Sequence, residues 1–114
     1  MKLNDVGIVV ATRELRLAGG KAVTVAVGKP EKFPDSEDYY CPYQILGLGN
    51  ERIRRAGGID AVQALELALK MIGTDLCTSK EAQAGELSWS GGKKGDFDFP
   101  VPDVLRELAP SQLK

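Results

Sequence analysis

The segment Ile59-Asp-Ala-Val-Gln-Ala-Leu-Glu-Leu-Ala-Leu-Lys-Met-Ile-Gly-Thr-Asp-Leu76 is the longest stretch of the chain with helical periodicity. Its large apolar side chains recur at intervals of three and four residues and form one seam, made of Val62, Leu65, Leu69, Ile72 and Leu76. Smaller or flexible apolar residues widen the seam on one side, namely Ala61, Ala64, Ala68 and Met71. The apolar arc then covers roughly half of the helix circumference. We therefore predict an α-helix over residues 59–76 that packs on a sheet, buries Leu65, Leu69 and Ile72 almost completely, and touches a second element or another subunit.

Length and charge restrict the class of protein. A chain of 114 residues is expected to form one domain, residues 1–114. The formal net charge of -1 argues against a general nucleic-acid-binding protein, which would carry a basic excess. The apolar runs are too short for a transmembrane helix, and the N-terminal residues include Asp5 and lack the apolar core of a signal peptide. We therefore expect a cytoplasmic protein that binds neither nucleic acid nor membrane.

The residue types that usually carry catalysis or bind metal are sparse. The chain contains no histidine, and its two cysteines, Cys41 and Cys77, are not part of a CxxC pair. The lack of histidine excludes Ser-His-Asp and Cys-His nucleophile schemes and His-ligated zinc. Two reduced cysteines are ordinary in a cytosolic protein. We accordingly assign no catalytic residue, metal or cofactor. Any catalysis would have to rest on Asp, Glu, Lys, Tyr, Cys or Arg, and the enzyme hypothesis is one with Cys41 or a tyrosine as its nucleophile.

Two N-terminal segments, residues 6–17 and 21–28, show the alternation of a β-hairpin. Leu15 should share a face with Val23, and directly opposed residues share a face. A two-residue loop would instead pair Leu15 with Thr24, on the other face. We therefore predict a three-residue loop, residues 18–20, in which Leu15 lies opposite Val23 and Gly20 has positive φ.

The remaining pattern completes an α+β fold. Residues 39–48 read as a third strand, which Pro42 places at a sheet edge or a bulge because proline has no N–H for the ladder. Thr78 and Glu81 have the spacing of a capping box, which starts a short helix. The other segments are predicted to be two short helices, at residues 79–84 and 103–109, and two extended stretches, at residues 86–90 and 96–99. The expected sheet is antiparallel, with a three-strand N-terminal meander and one or two C-terminal strands, packed on the long helix.

Four runs in the middle of the chain stand out, Phe33-Pro-Asp35, Tyr40-Cys-Pro-Tyr-Gln-Ile45, Gly47-Leu48 and Arg54-Arg-Ala-Gly-Gly-Ile-Asp-Ala-Val-Gln-Ala-Leu65. Together they resemble a family of small bacterial proteins that is classified only as a domain of unknown function. The resemblance extends over roughly residues 15–89, and the tail from Lys93 onward has no counterpart in it. It implies no activity, cofactor or catalytic residue.

Three arginines and two glycines precede the long helix and suggest an anion-binding site. The site would consist of Arg52, Arg54, Arg55, Gly57 and Gly58. The glycines would let a phosphate or carboxylate approach the free N–H groups of the helix N-terminus. No GxGxxG or P-loop spacing is present, and Asp60 already supplies negative charge in the first turn. The alternative is a glycine turn with solvated or salt-bridged arginines.

A second candidate is a pocket along the third predicted strand, lined by Tyr39, Tyr40, Cys41 and Tyr43. Polar groups could come from the acidic loop before it, from Asp35, Glu37 and Asp38. The alternative is a half-buried strand beside a solvated loop. The acidic loop lacks the ligand spacing of an EF-hand, and the lysine-bearing loop at residues 91–95 lacks the pattern of a P-loop.

No convergent catalytic set emerges, whereas the helix offers a wide apolar arc. We therefore expect a small cytosolic non-enzymatic interaction module that works through protein contact, as a homodimer or with a protein partner. The isologous contact would use the exposed remainder of the helix or a sheet edge near Pro42. The alternative is a small anion- or metabolite-binding protein that uses residues 52–58 at the start of the helix.

Overall fold

The computed structural model describes residues 6–90 and 95–102. In that part of the chain, six strands form one antiparallel sheet and α-helix packs on it, so the fold is α+β as predicted. The elements are β1 (Val9–Leu17), β2 (Ala22–Gly28), β3 (Glu31–Lys32), β4 (Tyr39–Leu46), β5 (Arg54–Gly58), α1 (Ala61–Cys77), α2 (Lys80–Gln83) and β6 (Leu87–Ser88). Neither helix of these residues is long and apolar enough to cross a bilayer. The predicted helix at residues 103–109 lies outside the described residues.

The N-terminal hairpin has the predicted register. Leu15 pairs with Val23, and Gly20 has a φ of 95° and donates its N–H to the carbonyl of Leu17 at 2.8 Å. The face-sharing argument and the three-residue loop are therefore confirmed. Strand β1 begins at Val9, three residues later than predicted, and its pairing with β2 is irregular near that end.

Strand β4 is an interior strand, so of the two alternatives predicted for Pro42, a sheet edge or a bulge, the edge is wrong and the pairing beside the proline is irregular, as in a bulge. Tyr43 pairs with β2 and with β5, and Tyr40 pairs with β3 and with β5, so β2 and β3 follow one another along one side of β4. The register slips by one residue between β2 and β3. A Cβ at Gly28 would lie 2.7 Å from Cγ of Pro42, which places the slip beside the proline. The neighbouring strand thus accommodates the missing N–H of Pro42.

Strand β5 was not predicted. Its sequence, Arg-Arg-Ala-Gly-Gly, has no β-branched or aromatic residue and carries no strand signal of its own. It nevertheless pairs with β4 over five residues, from Tyr43 opposite Arg54 to Tyr39 opposite Gly58. The basic segment therefore belongs to the sheet and does not lead directly into the helix as an irregular turn.

Helix α1 begins at Ala61 with Asp60 as its N-cap, two residues later than predicted. The Asp60 carboxylate accepts the N–H of Gln63 at 2.8 Å, and the Gln63 side chain accepts the N–H of Ile59 at 2.8 Å. This arrangement resembles a capping box, except that the Gln63 side chain accepts from the residue before the N-cap, and it satisfies the N–H of Gln63 in the first helical turn. Helix α2 is capped by Ser79 and not by Thr78 as predicted.

The face of α1 that enters the core differs from the predicted seam. The fully buried stripe is Ala64, Ala68, Ile72 and Leu76, spaced four residues apart. Leu65 and Leu69 are only partly buried, so the prediction is right for Ile72 and wrong for these two leucines. The reason is the close approach of α1 to the sheet, since a Cβ at Gly58 would lie 2.5 Å from the backbone N of Ala64. Only a small side chain fits where this approach is made, at Ala64, and the larger Ile72 and Leu76 lie farther along the same face.

The C-terminal segment covers a second side of α1. Residues 95–102 contain no strand, so of the two predicted extended stretches only the first forms one, as β6 paired with β1. Phe97 is buried in the core, and a Cβ on Gly73 of the helix would collide with the carbonyl oxygen of Pro100. Arg13 of β1 holds this segment by donating hydrogen bonds to the carbonyls of Phe97 and Asp98.

Candidate functional site

Two depressions lie side by side where β4 and β5 meet α1. The first has a volume of about 200 Å³, and its polar lining residues are Tyr43, Asn50, Arg52, Arg54, Asp75 and Ser79. The second has a volume of about 380 Å³ and lies between β5 and the helix residues Leu67, Lys70, Met71 and Thr74. Arg54 and Asp75 line both depressions, so their side chains form the wall between them.

Asp75 is the centre of the hydrogen-bond network in this wall. Its Oδ2 accepts a hydrogen bond from the hydroxyl of Tyr43 at 2.5 Å, and Nη1 of Arg54 donates to Oδ1 at 2.8 Å and to Oδ2 at 3.0 Å. Burial, followed by the hydrogen bond to Asp75, raises the pKa of the Tyr43 hydroxyl well above its ordinary range. The network ties β4 and β5 to α1, and it keeps Tyr43 protonated and unsuited to nucleophilic attack.

The residues predicted to bind an anion do not all line one cavity. Arg52 lines the first depression, Arg54 lines both, and Arg55 and Gly57 line the second. The guanidinium of Arg55 lies 5.6 Å from the ring centre of Tyr40, and Gly58 packs against the helix backbone. The carboxylate of Asp60 already accepts the N–H of Gln63 at the start of α1. The five residues therefore do not converge on the helix N-terminus.

The four residues of the predicted tyrosine pocket are also separated. Cys41 lies in the core and donates its thiol hydrogen to the carbonyl of Gly28 at 3.4 Å. Tyr40 packs against Phe33 with ring centres 5.0 Å apart, and Tyr39 is half-buried. Only Tyr43 lines a depression, and there it faces the arginines and not the acidic loop. Alternation along the strand puts Tyr40 on the face opposite to the other three, and of those three only Tyr43 lines a depression, so the structure does not bring the four residues into one pocket.

The thiols of the chain are unreactive in this environment. Burial raises the pKa of Cys41 to about 11, and burial together with the charge of Asp96 raises the pKa of Cys77. The thiolate is the nucleophilic form, so both groups are poor nucleophiles near neutral pH. Within residues 6–90 and 95–102 no three histidine, cysteine or acidic side chains lie close enough together to hold a metal ion.

Sequence reasoning missed Asp75, which lies 32 residues from Tyr43 in the chain. One signal could have indicated it. Asp75 lies in the last turn of α1, where a carboxylate interacts unfavourably with the helix dipole and no basic residue offsets it. An acid in that position requires a partner from elsewhere, and Arg54 and Tyr43 are those partners.

The family described as Domain of unknown function (DUF6968) matches residues 11–101 of the chain. The match is longer than the resemblance expected from the sequence motifs, and it includes the segment 95–101 that covers α1, for which no counterpart was expected. No curated protein and no solved structure matches the chain. Because the matched region includes most of the chain, with both helices, strands β2 to β6 and most of β1, the chain belongs to this family of unknown function, DUF6968.

Proposed function

We propose that this chain is a small non-enzymatic interaction module whose contact surface is the side of the molecule where β5 lies beside α1. The observation that carries the proposal is the position of β5. Among the described residues, β4 is the only strand that pairs with it, and the cleft of about 380 Å³ lies along it. Protein partners commonly occupy an open sheet edge next to an apolar cleft.

The environment of the nucleophile candidates supports a non-enzymatic role. Burial raises the pKa of both thiols and of the Tyr43 hydroxyl, which opposes the deprotonation that attack requires. Asp75 is engaged with Arg54 and Tyr43 and is not positioned as a free general base.

A second copy of the chain is the first partner to test. Ile59 and Val62, near the start of α1, are 73% and 74% exposed, more than any other large apolar side chain of the described residues. Exposed apolar residues next to a helix favour self-association, and dimers with two-fold symmetry are the commonest oligomers. The edge near Pro42 is no longer a candidate contact because β4 is interior.

Sedimentation velocity from about 1 µM to about 500 µM tests self-association. We expect the sedimentation coefficient to rise from the monomer to the dimer value, and the double variant Ile59→Ser and Val62→Ser to stay monomeric. The matched control is Ile8→Ser with Val10→Ser, which changes two equally apolar exposed residues at 62% and 52% exposure. A single monomeric species at every concentration would rule out the homodimer and leave another protein as the partner.

We further propose that the protein acts in the cytoplasm of bacteria. Both cysteines are unpaired and buried, as expected in a reducing compartment. The motifs around Cys41 and Gly57 resemble those of small bacterial proteins.

A second candidate function, binding of a small anion, is favoured by Arg52. Its guanidinium lines the depression of about 200 Å³ and makes no ion pair within the described residues, whereas the neighbouring Arg54 is paired with Asp75. Asn50 and Ser79 supply further polar groups there. A carboxylate or phosphate would pair with the free guanidinium.

Sulfate or phosphate should raise the melting temperature if the anion binds at this position. Arg52→Ala should abolish the increase without breaking the Arg54–Asp75 pair. Arg16→Ala is the control, since it removes the same charge from an exposed position on β1. Equal anion effects in the wild type and in both variants would indicate a general salting effect and no site.

A further inference from the structure

The cleft beside β5 is built along the backbone of that strand. Four consecutive residues line it, Arg54, Arg55, Ala56 and Gly57. Successive side chains of a strand point to opposite faces, so four neighbours can line one cleft only at the strand's backbone edge. The opposite wall is a stripe of α1 that includes Leu67, Lys70 and Met71, and Pro102 also lines the cleft. The cleft is therefore a groove between an edge strand and a helix.

The outer edge of β5 offers unpaired backbone groups to this groove. In an antiparallel pair, alternate residues direct their N–H and C=O groups toward the partner strand, and the others direct theirs away. Within residues 6–90 and 95–102, β5 pairs with β4 alone, and no hydrogen bond satisfies its outward groups. Five strand residues span about 17 Å, enough for a short additional strand.

The charges around the groove favour the binding of a segment with acidic side chains. Three cations line it, and its one acid, Asp75, is engaged by Arg54 and Tyr43. Arg55 and Lys70 make no ion pair among the described residues. A second copy of the chain would bring its own Arg54 and Arg55 to the same place, so like charges oppose pairing between two copies of β5.

The floor of the groove is apolar between these charges. Ala56 is buried, Met71 is partly buried, and Leu67 keeps part of its surface exposed. A strand bound here would direct alternate side chains toward this apolar floor and the others toward the cationic rim, which is formed by Arg54, Arg55 and Lys70. An occupant that alternates acidic and apolar residues fits both sets of contacts.

We propose that this groove binds an extended acidic segment of another protein, which adds a strand to β5 and packs alternate apolar side chains against α1. The proposal rests on the interaction role proposed above and names the class of partner for the same surface. Backbone hydrogen bonds to β5 give the affinity, and the rim and floor give the preference for acidic and apolar residues.

Three short fluorescent peptides of about seven residues test the proposal by anisotropy. The first alternates glutamate with valine, the second replaces each glutamate by lysine, and the third repeats the first with alternate backbone amides N-methylated. We expect the first to bind with a dissociation constant below about 100 µM and the other two to bind at least about tenfold more weakly. The first should also slow amide hydrogen exchange at residues 54–58.

Two charge reversals locate the binding site. Lys70→Glu should weaken binding of the acidic peptide at least about tenfold, because it removes a rim cation and adds a like charge. Lys21→Glu makes the same change at the exposed end of the N-terminal hairpin and should leave binding unchanged. Circular dichroism verifies that both variants fold, and the N-methylated peptide tests backbone pairing on the unaltered protein.

The proposal is overturned if the acidic peptide does not bind by about 1 mM. It is also overturned if N-methylation has no effect, if exchange at residues 54–58 is unchanged, or if the two charge reversals behave alike. The interaction role itself is tested separately by sedimentation. A chain that dimerises through Ile59 and Val62 but binds none of the peptides would retain that role and lose the acidic partner.

Discussion

Asp75 accepts hydrogen bonds from the side chains of two strands, so this one residue connects three elements of the fold. Its carboxylate lies on α1, Tyr43 on β4 and Arg54 on β5. If Asp75 is lost, the partly buried hydroxyl and guanidinium lose their acceptor, which costs more than an exposed ion pair does. The network is therefore expected to stabilise the contact between the helix and the sheet.

Asp75→Ala removes the acceptor of Tyr43 and Arg54, whereas an asparagine would keep an amide oxygen there. It should lower the free energy of unfolding by about 1–3 kcal/mol, measured by urea denaturation. Combined with Tyr43→Phe, it should show a coupling energy of roughly 1 kcal/mol, because the two residues share one hydrogen bond. Lys32→Ala breaks the exposed pair with Glu37 and should change stability by less than about 0.5 kcal/mol. Strictly additive effects of Asp75→Ala and Tyr43→Phe would contradict the hydrogen bond.

Cys41 gives the fold a dependence on alkaline pH. The pKa of the buried thiol rises from an ordinary 9.0 to about 11, so the folded state holds the proton more tightly than the unfolded chain. The resulting stability is complete below about pH 9 and is lost as the pH rises toward 11, by roughly 3 kcal/mol in total. Denaturation curves from pH 8 to 11 should show this decline reduced in Cys41→Ala. An identical pH slope in the wild type and the variant would show that Cys41 is not the cause.

At the level of elements, substitutions at Gly57 and Gly58 test the close approach between β5 and α1. A Cβ at Gly58 would lie 2.5 Å from the backbone N of Ala64, whereas a Cβ at Gly57 would make only contacts of 3.9 Å. Gly58→Ala should therefore destabilise the fold by about 1–3 kcal/mol through overpacking. Gly57→Ala should change the free energy of unfolding by no more than about 0.5 kcal/mol. Equal losses in thermal or urea unfolding would mean that the close approach at Gly58 is not what fixes the helix.

The orientation of α1 predicts how much stability is lost when apolar side chains on its different faces are truncated to alanine. Ile72 is fully buried, Leu69 is partly buried, and Val62 is exposed. Ile72→Ala should cost about 2–5 kcal/mol, Leu69→Ala less than that, and Val62→Ala under about 0.5 kcal/mol. Urea midpoints with a constant m-value measure the series. A larger loss of stability for Leu69→Ala than for Ile72→Ala would indicate that the helix buries the face predicted from the sequence.

On the scale of the whole molecule, Arg13 connects the first strand to the last described segment. Its guanidinium donates to the carbonyls of Phe97 and Asp98 and lies 4.1 Å from the ring centre of Trp89 and 4.9 Å from that of Phe99. A planar guanidinium can stack on two rings while it donates in its own plane, which a lysine ammonium cannot do. Arg13 therefore holds residues 95–102 over α1 together with the burial of Phe97 and the packing of Pro100 on Gly73.

Arg13→Lys should lower stability by about 1–2 kcal/mol and alter the fluorescence of Trp89 in the native state. Arg16→Lys is the matched control, because Arg16 is on the same strand and makes only exposed contacts, an ion pair with Glu14 and a hydrogen bond to the carbonyl of Gly20. The control should leave both the unfolding midpoint and the emission spectrum unchanged. An unchanged Trp89 spectrum in Arg13→Lys would contradict the stacked arrangement.

Local patterns in the sequence determined the hairpin register, the existence of the long helix and the α+β class. The reason is that side-chain parity fixes which residues of a hairpin can face each other, as for Leu15 and Val23, and that helical periodicity is a property of a continuous segment. The sequence also indicated the arginines at residues 52–55 as candidates, because a cluster of like charges is visible without a structure. It did not indicate that Asp75 and Tyr43 lie beside Arg54, because these residues are distant in the chain.

Tertiary structure alone decided the strand at Arg54–Gly58, the interior position of Pro42 and the face of α1 that is buried. A segment of arginine, alanine and glycine forms a strand only because its backbone can pair with that of β4. The first half of the helix turns Ala64 and Ala68, and not Leu65 and Leu69, to the sheet because two backbones approach closely at Gly58. Such an approach depends on which elements meet in space, and no periodicity within either segment encodes it.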